Sequence, residues 1–294
     1  MEAVLLDFNR IPVLDKEDNE KVFQELLDMR NIWLARTNWH PALEIAGPDS
    51  NIEEYVHYYT IGATMYMDAR DRGWELYKKL QKMYNRVLWK RLGWLYDTFI
   101  EELQKELGPC EYDQGLGLPG FHIYEFGDAP DSRKHHRCLH YDAQWWWGKK
   151  YFQKKYVDVD YKNQLSYTFT IKAPHSGSAI ALWDLKPKMG RKASEIQQRY
   201  YHPIIERYQT LAYVEEIKRG KVIEDPWKFS LFDDDGDLEK YIPYIIPHLE
   251  GHSFYYYGMT MHQMILGDNF KKGDYRITFQ GHGLKCDGKW RLFW

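Results

Sequence analysis

Cysteine is scarce in this chain: three in 294 residues, at Cys110, Cys138 and Cys286. An odd and sparse set is no disulfide framework, and it suits a reducing compartment, so a cytoplasmic setting is expected. Long apolar runs are also lacking. None approaches the 18 or so residues that a membrane-spanning helix needs, so no membrane partner is expected. The opening segment, MEAVLLDFNRIPVLDKEDNEK, has no basic stretch and no small-residue cleavage site, so no secretory leader is expected either. Positive charge is not concentrated. Forty Lys and Arg stand against 43 Asp and Glu, a net charge of −3, and clusters such as SRKHH and NFKKGDYR are short or mixed with acids. Without a basic face, no nucleic-acid partner is expected. There is no internal repeat or low-complexity tract, and the acids of FDDDGD (232–237) are not spaced as calcium-loop ligands.

What the chain has in plenty is aromatic side chains, 17% of the residues, with 12 Trp and 24 Tyr. Such side chains fill cores and line pockets for organic ligands. A chain of this length buries roughly three quarters of its unfolded surface, so it needs no structural metal or disulfide to fold. One domain spanning 1–294 is expected.

The first third, 1–110, reads as mainly helical. Val22, Phe23, Leu26, Leu27 and Ile32 recur at helical spacing between Lys16 and Leu34. A second helix is expected after GPDSN, with Glu53 and Glu54 in its first turn. The strongest pattern runs from Arg72 to Leu107 without a proline. One face carries Trp74, Tyr77, Leu80, Tyr84, Leu88, Leu92, Leu95, Phe99 and Leu103, and Gly108-Pro109 ends it. Beyond residue 111 the period changes. GFHIYEF, QLSYTFTIKA, SAIALWDL, LAYVEEIKRGKVIE, SFYYYGMTM and DYRITFQ are rich in β-branched and aromatic residues and are separated by turn formers. RGK and CDGK read as hairpin turns, and one helix near 190–208 interrupts the strands. The pattern predicts an α+β fold, with N-terminal helices covering an antiparallel sandwich or jelly roll over 111–294.

Chemistry gathers in HHRCLHYDAQWWWGKK, residues 135–150. His140 and Asp142 stand two apart, and on an extended strand residues i and i+2 share a face. An imidazole and a carboxylate so placed supply two of the three ligands of a 2-His-1-carboxylate iron(II) site. The same pair also reads as two polar residues hydrogen-bonded at a strand end. A third ligand has to be a histidine brought in by the fold, and His248, His252 and His262 lie on the same approach. Downstream, Arg276 and Thr278 share a strand face by the same alternation. A guanidinium fork beside a hydroxyl suits a buried carboxylate ligand, although Arg276 alone equally reads as half of a surface ion pair.

The order HxD, then His, then Arg-x-Thr resembles the Fe(II)/2-oxoglutarate-dependent dioxygenases, a family with a double-stranded β-helix (jelly-roll, cupin-like) core. GFHIYEFGDAP resembles the first core strand of prolyl-hydroxylase-like members, and SYTFTIKAPHSGSAIALWDL resembles their middle strands. The likeness spans Leu118 to Phe279. It implies that His140, Asp142 and His262 hold iron, and that Arg276, supported by Thr278, pairs with the distal carboxylate of 2-oxoglutarate. Tyr124 matches a tyrosine that contacts the same co-substrate. The reaction implied is decarboxylation of 2-oxoglutarate to succinate with O2, coupled to removal of a substrate hydrogen. Hydroxylation is the default outcome, and desaturation or cyclisation uses the same ligands. The carboxylate at Asp142 argues against halogenation, since halogenating relatives carry a small residue there.

With no peptide-binding module and near-neutral charge, the expected substrate is a small molecule such as an amino-acid derivative or secondary metabolite. A protein prolyl-type hydroxylase and a non-catalytic jelly-roll carboxylate binder are the alternatives. Trp145, Trp147 and His282 are candidate substrate-side residues. On a strand the three tryptophans would alternate faces, and ordinary packing explains them as well. Arg133, Lys134, Arg137 or Arg191 would serve a substrate carboxylate.

Overall fold

The computed structural model describes residues 8–36, 56–69, 72–127, 142, 145, 147–183, 244–257, 260–266 and 271–294. The first element is strand β1, Phe8–Pro12. Helix α1, Lys16–Asp28, follows, and its cap is Asp15, whose side chain accepts from the backbone N–H of Asp18 at 2.8 Å. The short β2, Leu34–Ala35, comes next, then β3, Val56–Ile61. Helix α2, Trp74–Leu107, has 34 residues and ends at Gly108 with φ 77°. After it come β4 (Cys110–Tyr112), β5 (Gly120–Phe126), helix α3 (Lys149–Lys155), β6 (Val159–Lys172) and β7 (Ser178–Trp183). The remaining strands are β8 (Tyr244–Pro247), β9 (His252–Tyr257), β10 (Met261–Leu266), β11 (Tyr275–Cys286) and β12 (Lys289–Phe293).

Two sheets result. The larger has the order β1-β9-β6-β11-β5-β3-β2, with β12 joined to both β11 and β4, and the smaller has the order β10-β7-β8. Every pairing is antiparallel except that of β12 with β4. Period-2 alternation gives the large sheet two chemically different faces. One carries Phe121, Ile123, Leu165, Tyr167, Phe169, Ile171, Tyr255, Ile277 and Phe279. These pack on Tyr84, Leu88, Leu92, Leu95, Tyr96, Phe99 and Leu103 of α2, and on Val22 and Leu26 of α1. Each such side chain contributes about 1.5–3 kcal/mol by leaving water, which holds the helices on this face. The opposite face is the inner one. There Phe254 and Tyr256 meet Ile180, Leu182 and Ile246 of the small sheet, and Phe126 and Tyr124 meet Met264.

The long helix carries its apolar stripe as the spacing predicts, except that Trp74 is exposed at its start. The CDGK turn is the expected hairpin: Asp287 and Gly288 have φ of 49° and 80°, the pair of positive values a type I′ turn requires. Two expectations are corrected. The first third is not all helical, because β1, β2 and β3 all join the large sheet. In particular, Val56–Ile61 is a strand where the helix after GPDSN was expected; VHYYTI is β-branched and aromatic, and it pairs with β5. Nor do Trp145 and Trp147 lie on a strand. They precede α3 and pack beside Phe152 and Tyr161. The RGK turn and the helix near 190–208 lie outside the described residues.

A buried ion pair ties β2–β3 to the π-type turn Met65–Ala69. Arg36 reaches both carboxylate oxygens of Asp68, at 2.7 and 2.9 Å, and Thr60 Oγ1 at 2.9 Å. The remaining demand of Asp68 is met by the Thr64 backbone N–H at 2.9 Å. Removing one member leaves an uncompensated buried charge, so Asp68→Ala should cost about 3–5 kcal/mol in urea unfolding. A surface pair would cost less than about 1 kcal/mol.

Candidate functional site

The inner face of the large sheet is polar along its middle strands. Register places Tyr58 beside Tyr124, Tyr124 beside Arg276, His122 beside Thr278, and Thr278 beside Thr170. Further along the same strands, His282 stands beside Ser166 and Ser166 beside Tyr256. The β6–β11 register shifts between Ile277 and Thr278, a local irregularity next to the polar row.

At one end stands Asp142, which belongs to no strand yet is only 8% exposed. His262 of β10 faces it from the small sheet, with Nε2 3.4 Å from Asp142 Oδ2. His262 Nδ1 lies 3.0 Å from the carbonyl of Thr260. A carbonyl only accepts, so Nδ1 donates to it and Nε2 is the ring nitrogen on the carboxylate side. An imidazole nitrogen and a carboxylate oxygen so placed fit a shared cation, and the backbone carbonyl supplies the outer hydrogen bond common to metal-bound histidines. Asp142 Oδ2 also accepts from the Tyr256 hydroxyl at 3.1 Å and lies 3.9 Å from His282 Nδ1. Among the described residues no group of three His, Cys, Asp or Glu side chains forms a complete metal cage. The expected third ligand, His140, lies outside those residues.

At the other end is Arg276, 3% exposed. Its guanidinium carbon lies over the Tyr124 ring, 5.4 Å from the centroid. Its Nε has no hydrogen-bond partner, and among the described residues no carboxylate lies within ion-pair distance. Burial without a counter-charge pulls this guanidinium down to about 10, so it is still charged at neutral pH. Thr278 is fully buried beside it and accepts from Gln280 at 3.1 Å, which leaves its own hydroxyl proton to donate. Thr170 Oγ1, on the neighbouring strand, is likewise buried and unpartnered. An orphaned, buried cation flanked by hydroxyls fits an anion, and a carboxylate matches the fork.

Behind this end, His122 sits between two phenols. The Tyr58 hydroxyl contacts its Nδ1, and the Tyr66 hydroxyl lies 3.0 Å from its Nε2. Burial, then the charges of Arg276 and Arg36, hold His122 well below the ordinary imidazole range. Burial similarly lowers His248, whose Nδ1 is 2.8 Å from Ser178 Oγ, and His282. In the unfolded chain each imidazole titrates near 6.5. Their neutral forms therefore contribute stability that is present above that pH and lost as the pH falls below it, by about 1.4 kcal/mol per pH unit for each histidine. Metal-free protein should lose urea resistance between about pH 7.5 and 5.5, and His122→Gln should shrink that loss by about a third.

Of the residues read from sequence, Asp142, His262 and His282 are thus together, and Arg276, Thr278 and Tyr124 form a second group on the same inner face. Trp145 lies tilted against Tyr161, with ring centroids 4.8 Å apart, and, with Trp147, packs beside Phe152. His140, Arg133, Lys134, Arg137 and Arg191 lie outside the described residues. Tyr256, Ser166, Tyr58, Tyr66 and His122 escape a motif search. His122 carries a usable signal, since it stands two before Tyr124 in GFHIYEF and so shares its face.

No protein-family profile and no curated protein matches this sequence. Among solved structures the chain is similar to an N-substituted L-amino acid dioxygenase from Burkholderia ambifaria, described in complex with α-ketoglutarate. The identity is 13%, covering 98% of this chain and 86% of that one, at a TM-score of 0.43. EvdO2 from Micromonospora carbonacea, complexed with 2-oxoglutarate, is 12% identical over 95% and 86% of the two chains, with a TM-score of 0.41. The α-ketoglutarate-dependent carbocyclase SnoK of nogalamycin biosynthesis is 13% identical over 95% and 79%, at 0.36. At identities this low, the chemistry has to come from the residues themselves. Among the described residues no helix is long and apolar enough to cross a membrane.

Proposed function

We propose that this chain is an iron(II)- and 2-oxoglutarate-dependent oxygenase acting on a small molecule, built as one domain around a double-stranded β-helix. The observation that carries the proposal is Arg276: a charged, buried guanidinium without a carboxylate partner among the described residues, on the inner face of the large sheet, beside which His262 of the small sheet meets Asp142. Asp142 and His262, with His140, would hold the metal. Arg276, Thr278 and Tyr124 would hold the distal carboxylate of 2-oxoglutarate. The bound iron supplies oxygen activation coupled to decarboxylation of 2-oxoglutarate to succinate.

The protein's part is placement. With Arg276 on the large sheet and His262 on the small one, a short dicarboxylate fixed by Arg276 would direct its other end toward Asp142 and His262. Tyr58, His122 and Tyr66 back the anion end with neutral groups, which leaves Arg276 as its positive charge. Met264, Phe126 and Tyr124 pack together beside it, and this apolar packing limits water there. Hydroxylation is the outcome expected by default, and Trp145, Trp147 and His282 are the candidate substrate contacts.

A metabolite panel incubated with iron(II), 2-oxoglutarate and air tests the proposal. Succinate release should rise severalfold with one class of small acid or amine. A protein that binds 2-oxoglutarate yet releases no succinate with any panel member, with or without iron, would instead be a carboxylate binder.

A further inference from the structure

Asp142 belongs to no strand, yet one of its carboxylate oxygens is tied to three of them. On the inner face, His282 of β11, Ser166 of β6 and Tyr256 of β9 stand directly opposite one another in register, a single row across adjacent strands. His282 Nδ1 lies 3.3 Å from Ser166 Oγ and 3.9 Å from Asp142 Oδ2, and the Tyr256 hydroxyl lies 3.1 Å from the same carboxylate oxygen. All four are buried.

A carboxylate only accepts, so the phenol donates to it. We infer that this hydrogen bond orients the Asp142 carboxylate, with Tyr256 as its positioning residue and His282 flanking the same oxygen. The inference rests on the iron-site reading above. It gives His282 a role other than substrate contact: a buried neighbour of the carboxylate oxygen that Tyr256 holds.

The physical effect is on rotation. With Oδ2 held by the phenol, the carboxylate cannot turn freely about its Cβ–Cγ bond, so its other lone pairs keep one orientation toward a cation shared with His262. Outer hydrogen bonds of this kind are worth about 10- to 100-fold in metal affinity. The effect should be largest at Tyr256, which is hydrogen-bonded to Oδ2 at 3.1 Å, and smaller at His282, whose Nδ1 is 3.9 Å from it.

Titration with cobalt(II) alone, followed by its visible absorption, tests this without turnover. The wild type should bind one equivalent. Tyr256→Phe, which keeps the ring and removes the hydroxyl, should weaken binding about 10- to 100-fold and shift the cobalt band. His282→Leu should weaken binding less, and His282→Asn, which keeps a donor near the Nδ1 position, should restore most of the loss. A purely structural role would lower the urea midpoint of these variants without moving the cobalt band. If Tyr256→Phe binds with wild-type affinity and an unchanged band, the inference is overturned. Should that variant fail to fold, the His282 pair decides, and equal affinities for Leu and Asn overturn it. A wild type that binds no cobalt(II) removes the iron-site reading itself, and the inference with it.

Discussion

Replacing Arg276 with leucine is expected to raise the KM for 2-oxoglutarate by about 30- to 5,000-fold, the range set by losing one partner of a buried, hydrogen-bonded charge pair. The expectation comes from the geometry of an unsatisfied group. Arg276 is 3% exposed, its Nε has no partner, and its neighbours Tyr124 and Thr278 offer a ring face and a hydroxyl but no negative charge. A cation left like this costs free energy in the unliganded protein, so a carboxylate that pairs with it recovers more than it would at the surface. Arg276→Lys should be intermediate, because an ammonium restores the charge and not the two parallel donors. Being buried, the pair should also be nearly insensitive to salt between about 50 and 300 mM. The metal-free leucine variant should be at least as stable as the wild type in urea. A large loss of stability would instead identify Arg276 as a structural cation.

The second large effect is at Asp142. Asp142→Asn keeps the shape and, with its carbonyl oxygen in the Oδ2 position, still accepts from Tyr256. The metal-free fold should therefore change by less than about 1 kcal/mol, within the worth of one ordinary hydrogen bond. Iron affinity should fall by more than about 100-fold, beyond the range seen for loss of an outer hydrogen bond, because an anionic ligand is gone. Thermal shift separates the two effects. Metal at about 100 times its dissociation constant stabilises the wild type by roughly 2.7 kcal/mol, and that increment should be missing from the asparagine variant. A variant that keeps the increment would show that Asp142 is not a ligand.

Much of this layout is legible in the sequence because strands enforce period 2. GFHIYEF is β5, residue for residue, and DYRITFQ opens β11, so Arg276 and Thr278 share a face as the spacing requires. The helix from Trp74 to Leu107 is legible from its stripe and its terminal glycine. The N-terminal strands are less so. β1 and β3 are short, and what makes them strands is pairing with β9 and β5, which lie far along the chain. The row His282–Ser166–Tyr256 is hidden for the same reason: its members are 116 and 90 residues apart, and only inter-strand register aligns them. Asp142 was legible as chemistry, through its HxD context, but not as geometry, because it lies outside any strand.

The measurement that bears most directly on the whole account is anaerobic addition of iron(II) and then 2-oxoglutarate to the wild-type protein, followed by visible absorption. A weak charge-transfer band should appear only when both are present. It should be absent in Asp142→Asn, and in Arg276→Leu it should require far more 2-oxoglutarate. No band in the wild type, or an undiminished band in Asp142→Asn, would contradict an iron and 2-oxoglutarate centre built on these residues.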